Sequence, residues 1–172
     1  EFPNKEIIFK ITKQIRKNKD FNSRLIFKSF TNFGLHIWKN DNFAISIRSI
    51  ENIINNGCHF HSDQLSMNLF IDNKYIFRDP GSFVYTPLPK FRNYFRSRNV
   101  HFPCINKIKL EKNLFEEITF KRVQCKYLSE KGFLGTYCNN NTKEGLSLII
   151  NKDKLEVCLY SQDYKLIKKR NL

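Results

Sequence analysis

The chain has no Cys-x-x-Cys pair, no apolar run long enough for a membrane helix, and barely half as many acidic as basic residues. Each absence excludes something. The five cysteines, Cys58, Cys104, Cys125, Cys138 and Cys158, are scattered, which rules against a zinc knuckle built from paired thiolates. Their odd number fits reduced thiols better than a disulfide framework, with one or two bridges left open, and the compartment is open with them. No stretch approaches the roughly 18 uninterrupted apolar residues of a membrane-spanning helix. No repeat, low-complexity block or linker interrupts the 172 residues, so a single domain over 1–172 is expected, large enough to bury a core without staples. Nor is there a recognisable nucleic-acid motif, which argues against nucleic acid as the partner. Methionine is missing from the first position, where Glu1 stands, so a piece of a longer product is expected, from which any secretory signal would already be gone.

The shortage of acids leaves thirty Lys and Arg against sixteen Asp and Glu, a net charge of +14. That excess attracts polyanions over about a Debye length, and acidic polysaccharide, nucleic acid and anionic membrane all qualify. A Lys- and Asn-rich composition accounts for the same excess without any partner. Seventeen Phe and seven Tyr are plentiful but follow strand patterns, as core residues do.

From Arg24 onward the texture is that of short β-type runs between polar turns. Leu35 and Ile37, then Phe43 to Ile47, read as two strands joined by Lys39-Asn40-Asp41-Asn42. Leu65, Met67, Leu69 and Ile71 alternate with Ser66, Asn68 and Phe70, the period of a half-buried strand. Asp72-Asn73-Lys74 turns into Tyr75 to Phe77, and Asp79-Pro80-Gly81 stops that strand. Ile118 to Val123, Phe133 to Cys138, Leu146 to Ile150 and Leu155 to Tyr160 repeat the texture, and Lys168-Lys169-Arg170 reads as a solvated tail. Many short strands at such spacing predict an all-β, antiparallel β-sandwich. Ahead of them, Ile7, Ile8, Ile11 and Ile15 suit a short amphipathic helix, while Phe2, Phe9 and the β-branched neighbours suit strands equally.

The residues that carry chemistry begin at Gly57-Cys58-His59-Phe60-His61-Ser62-Asp63. His59, His61 and Asp63 alternate, so an extended chain presents all three on one face. Imidazole and carboxylate are good zinc ligands, and Asp79 and His101 follow downstream. A tight hairpin about Asn73 sets Asp79 opposite Met67, which leaves His61 about 20 Å away along a straight strand. One ion cannot bridge that. Either the chain bends near Ser62 or the pairing differs from a simple hairpin.

Three stretches, GCHFHSDQLSMNLF, FRDPGSFVY and FRNYFRSRNVHF, together resemble the signature of the heparinase II/III-like family: H-x-H-x-D with Leu-Ser, a hydrophobic strand, Asp-Pro-Gly, a tyrosine, then an Arg-containing run ending in histidine. The upstream SFTNFGLHIWKNDNFAISI is similar to the strand pair before it. The resemblance implies a C-terminal antiparallel β-sandwich that works with an N-terminal α-helical toroid in a β-eliminating polysaccharide lyase. It implies zinc, in a structural role, on His61, Asp79 and His101. It sets His59 at the active-site cleft as a catalytic group. Arg92, Tyr94 and Arg96, with Arg98 nearby, are the candidates for binding sugar carboxylates or sulfates, against the alternative of a solvated basic loop. Tyr85 is expected to pack rather than to act as a phenol. Where the family has asparagine after the last histidine, Phe102 stands here.

The toroid, which carries the family's catalytic tyrosine, is not among these residues, so this piece alone is expected to be inactive and the parent protein to be the enzyme. The expected partners are acidic polysaccharide and that toroid, and the expected location is the periplasm or cell envelope. The rival expectation is a non-catalytic module that holds acidic glycans, or a part in surface-polysaccharide assembly.

Overall fold

A computed structural model describes residues 21–51, 60–71, 73–85, 87–103, 123–139, 142–152, 154–160 and 166–171. The expected strand alternation becomes two five-stranded antiparallel sheets, each a plain meander. The first runs β1 (Ile26–Phe30), β2 (Leu35–Lys39), β3 (Phe43–Arg48), β4 (Met67–Ile71), β5 (Lys74–Phe77). The second runs β6 (Val123–Ser129), β7 (Gly132–Asn139), β8 (Thr142–Asn151), β9 (Lys154–Tyr160), β10 (Leu166–Asn171). Among the described residues one α-helix is present, α1 (Pro89–Arg96), between the sheets in sequence.

Period-2 patterning decides which faces meet. β3 and β4 bury every other side chain, so Phe43, Ile45, Ile47, Met67, Leu69 and Ile71 all turn inward. The second sheet answers with Phe133, Leu146, Leu148, Ile150 and Leu155, and one hydrophobic cluster joins the two. Trp38 spans the gap. It is fully buried, its ring lies edge-on to Phe133 at 6.4 Å, and its Nε1 donates to the Ser129 carbonyl at 2.8 Å. The buried indole N–H is thereby satisfied across the sandwich.

Turn chemistry fixes the register. Asn40 Oδ1 accepts from the N–H groups of Asn42 and Phe43, closing the β2–β3 hairpin as the sequence suggests. At Gly132, φ is +151° and a Cβ would stand 2.0 Å from the Leu148 carbonyl oxygen, so only glycine lets β7 start that close to β8.

Four expectations need correcting or restricting. The tail Lys168-Lys169-Arg170 is an edge strand paired with Val157 to Leu159 of β9, because ladder bonds need only backbone. Of the strand expected over Ile118 to Val123, only Val123 is described, and the strand begins there and runs on to Ser129. The Arg-containing run is not a loop: Pro89 sits in the first turn of α1, where its missing N–H costs nothing. The N-terminal segment with Ile7, Ile8, Ile11 and Ile15 lies outside the described residues.

Candidate metal and cleft site

The site forms where β4 begins. Its first residue, Met67, pairs with Ile47 of β3 on one side and donates to the Phe102 carbonyl on the other, at 2.6 Å. That bond draws the segment after α1 alongside β4 and sets His101 next to the strand's start. β5 brings Asp79 to the same place. A bulge at Ile76 pairs Leu69 with Phe77 and Phe70 with Tyr75, and the Asp79 N–H donates to Asn68 Oδ1 at 2.6 Å. The Gly81 N–H then caps Asp79 Oδ1 at 2.8 Å, fixing the Asp-Pro-Gly turn.

His61 reaches this point because the chain bends. Residues 60–66 are not strand. Leu65 takes the left-handed conformation, φ +57°, while its side chain stays buried in the core. A leucine there costs backbone strain, which the surroundings over-determine. Leu65 N–H donates to Arg48 O at 2.7 Å, Ser66 N–H to Asp63 O at 2.8 Å, and Ser62 N–H to the Arg96 carbonyl at 2.7 Å. Of the two solutions open to the straight-strand problem, the bend is the one found.

Asp79 and the two histidines therefore converge. The rings of His61 and His101 are 5.5 Å apart, and His101 Nε2 lies 3.6 Å from Asp79 Oδ2. Ser82 Oγ lies 3.2 Å from His61 Nε2, a neighbour that the sequence did not single out. His101 is almost wholly buried, yet among the described residues neither ring nitrogen has a hydrogen-bond partner. Such orphans are expensive and call for an explanation. Burial lowers the His101 pKa to about 4; Asp79 opposes this, and His61 and Arg98 add to it. Burial also lowers His61, with Asp79 opposing and Arg96, Arg92 and Arg48 reinforcing. Both imidazoles are thus neutral at pH 7, the form that binds metal. Asp63 stands apart from this trio. Its carboxylate pairs with Arg48 Nε at 3.3 Å, and burial, outweighing that arginine, pushes its pKa up to about 6.

The candidate sugar-binding residues divide. Arg92 and Arg96 are buried on the inner face of α1, whereas Tyr94 keeps its ring exposed. Arg96 Nε donates to the Phe60 carbonyl at 3.3 Å, and the Arg92 guanidinium lies over the half-exposed Tyr85 ring at 5.3 Å. Arg98 is buried and committed elsewhere. It pairs with Glu144 of β8, donates to the Gln64 carbonyl at 2.6 Å and covers the Tyr137 ring at 4.5 Å. It ties the site loops to the second sheet, a role its place in a basic run gave no sign of. Phe102 stacks flat on Phe77, ring centroids 3.5 Å apart, so the position where the family has asparagine is apolar here. His59 lies outside the described residues.

Residues 23–101 match the family described as Heparinase II/III-like, C-terminal, and over that segment the chain is similar to it. Comparison with curated proteins and with solved structures gave no match. Among the described residues, no helix is long and apolar enough to cross a membrane.

The zinc that this family resemblance implies can be tested against the side chains. Among the described residues no three His, Cys, Asp or Glu groups stand as a ready metal cage. The donor set nevertheless fits in kind. Two ligands on a tetrahedral zinc with bonds of about 2.0–2.1 Å are about 3.4 Å apart. The 3.6 Å between His101 and Asp79 is close to that value and too long for a hydrogen bond. Among the described residues the nitrogens of His101 are without hydrogen-bond partners, and the His61 ring lies 5.5 Å from the His101 ring with its Nε2 beside Ser82 Oγ.

Proposed function

We propose that this chain is the β-sandwich part of a polysaccharide lyase that cleaves a uronic-acid-containing polysaccharide by β-elimination, with a structural zinc held by His61, Asp79 and His101. The observation that carries the reading is His101, a buried imidazole with no hydrogen-bond partner on either nitrogen among the described residues, beside a carboxylate and a second imidazole. Zinc at that point would cross-link three segments, the bend before β4, the Asp-Pro-Gly turn and the run after α1, and that cross-link is the structural role proposed for it.

Elimination needs the uronate carboxylate neutralised, the C5 proton removed and the departing C4 oxygen protonated. In this reading His59, two residues before the proposed ligand His61 in the sequence, handles a proton. Tyr94 offers an exposed ring to the sugar, while Arg92 and Arg96 add positive potential from behind it. A helical toroid elsewhere in the parent protein supplies the remaining catalytic groups, and the periplasm or cell envelope is the location proposed for it. A second reading, a non-catalytic module for acidic glycans, draws on the first sheet, whose five strands carry Lys28, Lys39, Arg48 and Lys74 and no acidic residue.

The test uses the complete parent protein on uronate polymers, following the unsaturated product of elimination. The lyase reading expects product, a His59→Ala variant that folds normally but loses most activity, and a His61→Ala variant that melts at lower temperature. Salt-sensitive retention on the polymer with no unsaturated product favours the module.

A further inference from the structure

The outer face of the first sheet carries a groove of about 450 Å³ that the site above does not use and that ends at its Asp79. Its floor is made by half-buried side chains from three adjacent strands, Ile37, Ala44, Ser46, Asn68 and Phe70. Its far wall is Tyr75, more than half exposed, with Phe70 edge-on to it at 5.0 Å and the Arg78 guanidinium over its ring at 5.2 Å. Arg78 is exposed and, among the described residues, makes no ion pair. Its charge is available.

In the β1–β2 and β2–β3 registers Lys28 stands beside Ile37 and Lys39 beside Ala44, so two more cations border the groove. The one carboxylate among its lining residues is Asp79, at the end where the ligand turn begins. Asn68 joins the two places: its Nδ2 donates to Ser46 Oγ at 3.2 Å on the groove floor, while its Oδ1 holds the Asp79 N–H. Flat apolar and aromatic surface suits the C–H face of a pyranose ring. A free guanidinium with a lysine-bordered rim suits a carboxylate or sulfate on that ring, where bidentate pairing adds geometric selection.

We propose that this groove is an acidic-sugar subsite, in which Arg78 pairs with the sugar's anionic group and Tyr75 with Phe70 packs on its ring. It leads the chain of an acidic polysaccharide along the first sheet toward the Asp79 turn. The inference rests on the proposal that the protein's substrate is an acidic polysaccharide, and it adds the residues that read it.

Calorimetric titration of the chain with three hexasaccharides tests it: an unsulfated uronate oligomer, a heparin-derived oligomer and a neutral glucose oligomer. The groove predicts that both acidic oligomers bind, or the sulfated one alone if sulfate is what is read, and that the neutral one does not. Arg78→Ala should weaken acidic binding at least tenfold and Tyr75→Ala severalfold, with the melting temperature unchanged, since both side chains are exposed. Lys28→Ala with Lys39→Ala should weaken binding further and flatten its salt dependence. Acidic binding that is unaltered in Arg78→Ala and Tyr75→Ala overturns the subsite, as does equal binding of the neutral oligomer or no acidic binding at all. The first of these leaves the lyase reading standing, because unsaturated product from the parent protein is scored separately.

Discussion

Two imidazoles, His36 and His101, sit buried among the described residues, and burial lowers the proton affinity of each. Their neighbours differ. His36 lies between Trp38 and Phe133, and its Nδ1 meets Ser29 Oγ at 2.9 Å. It is the structural histidine that its Leu-His-Ile setting suggests. The Ser49 backbone and Glu51 partly offset the burial, but the folded pKa stays below the ordinary 6.5. As pH falls, the unfolded chain therefore takes up the proton first. The stability due to a neutral His36 is whole above about pH 6.5 and is lost as pH drops through the lower folded value. His36→Phe, which keeps the ring packing, should lose less melting temperature between pH 7 and pH 5 than the native chain. Parallel melting curves over that range would refute this. His101 has no comparable partners, which is why a ligand role suits it. At this scale the signature points to His61, Asp79 and His101, and their side chains lie near one another in the fold. It was silent about Ser82, Asn68 and Glu144, because a serine, an asparagine and a strand glutamate have no local pattern that announces a distant partner.

Among the elements, the strands were the legible part. Alternation in β3 and β4 records which face each residue turns to the core, and that survives into the fold. The bend was legible only as a demand of distance and not by its place at Gln64–Leu65, since Leu65 continues the apolar alternation of the strand although its backbone has left it. Helix α1 was hidden for the opposite reason. It buries Arg92, Asn93 and Arg96 and leaves Phe91 and Tyr94 exposed, so its apolar face does not mark its buried one. Gly135 of β7 makes the bend testable. A Cβ there would stand 2.5 Å from the Phe133 ring and 2.8 Å from Leu65 Cδ2. Both neighbours are buried, so neither yields cheaply. Gly135→Ala should destabilise the fold by about 1–3 kcal/mol in urea melts and lower metal affinity by displacing Leu65 and with it His61. A Gly135→Ala protein as stable as the native chain would mean that the bend is not held by this contact.

At the scale of the molecule, two meanders share one core, and Trp38 is the largest side chain fully buried between them. Trp38→Ala should cost about 3–5 kcal/mol, the range for emptying such a site, and it also leaves the Ser129 carbonyl without its donor. A loss under 1 kcal/mol by equilibrium denaturation would show that the sheets do not depend on that bridge. The net charge of +14 belongs to this scale too. Retention on an immobilised acidic polysaccharide should fall steeply as salt rises toward physiological strength, where screening shortens the field to about 8 Å. Salt-independent retention would deny that charge guides the encounter. The central claim, however, is that one metal ion ties the bend, the turn and the post-helix segment into a single site, and zinc analysis of protein purified without chelator tests it most directly. The account predicts one zinc per chain, with His101→Ala holding none. Native protein that is folded and zinc-free, and whose melting temperature does not rise when zinc is added, would contradict it.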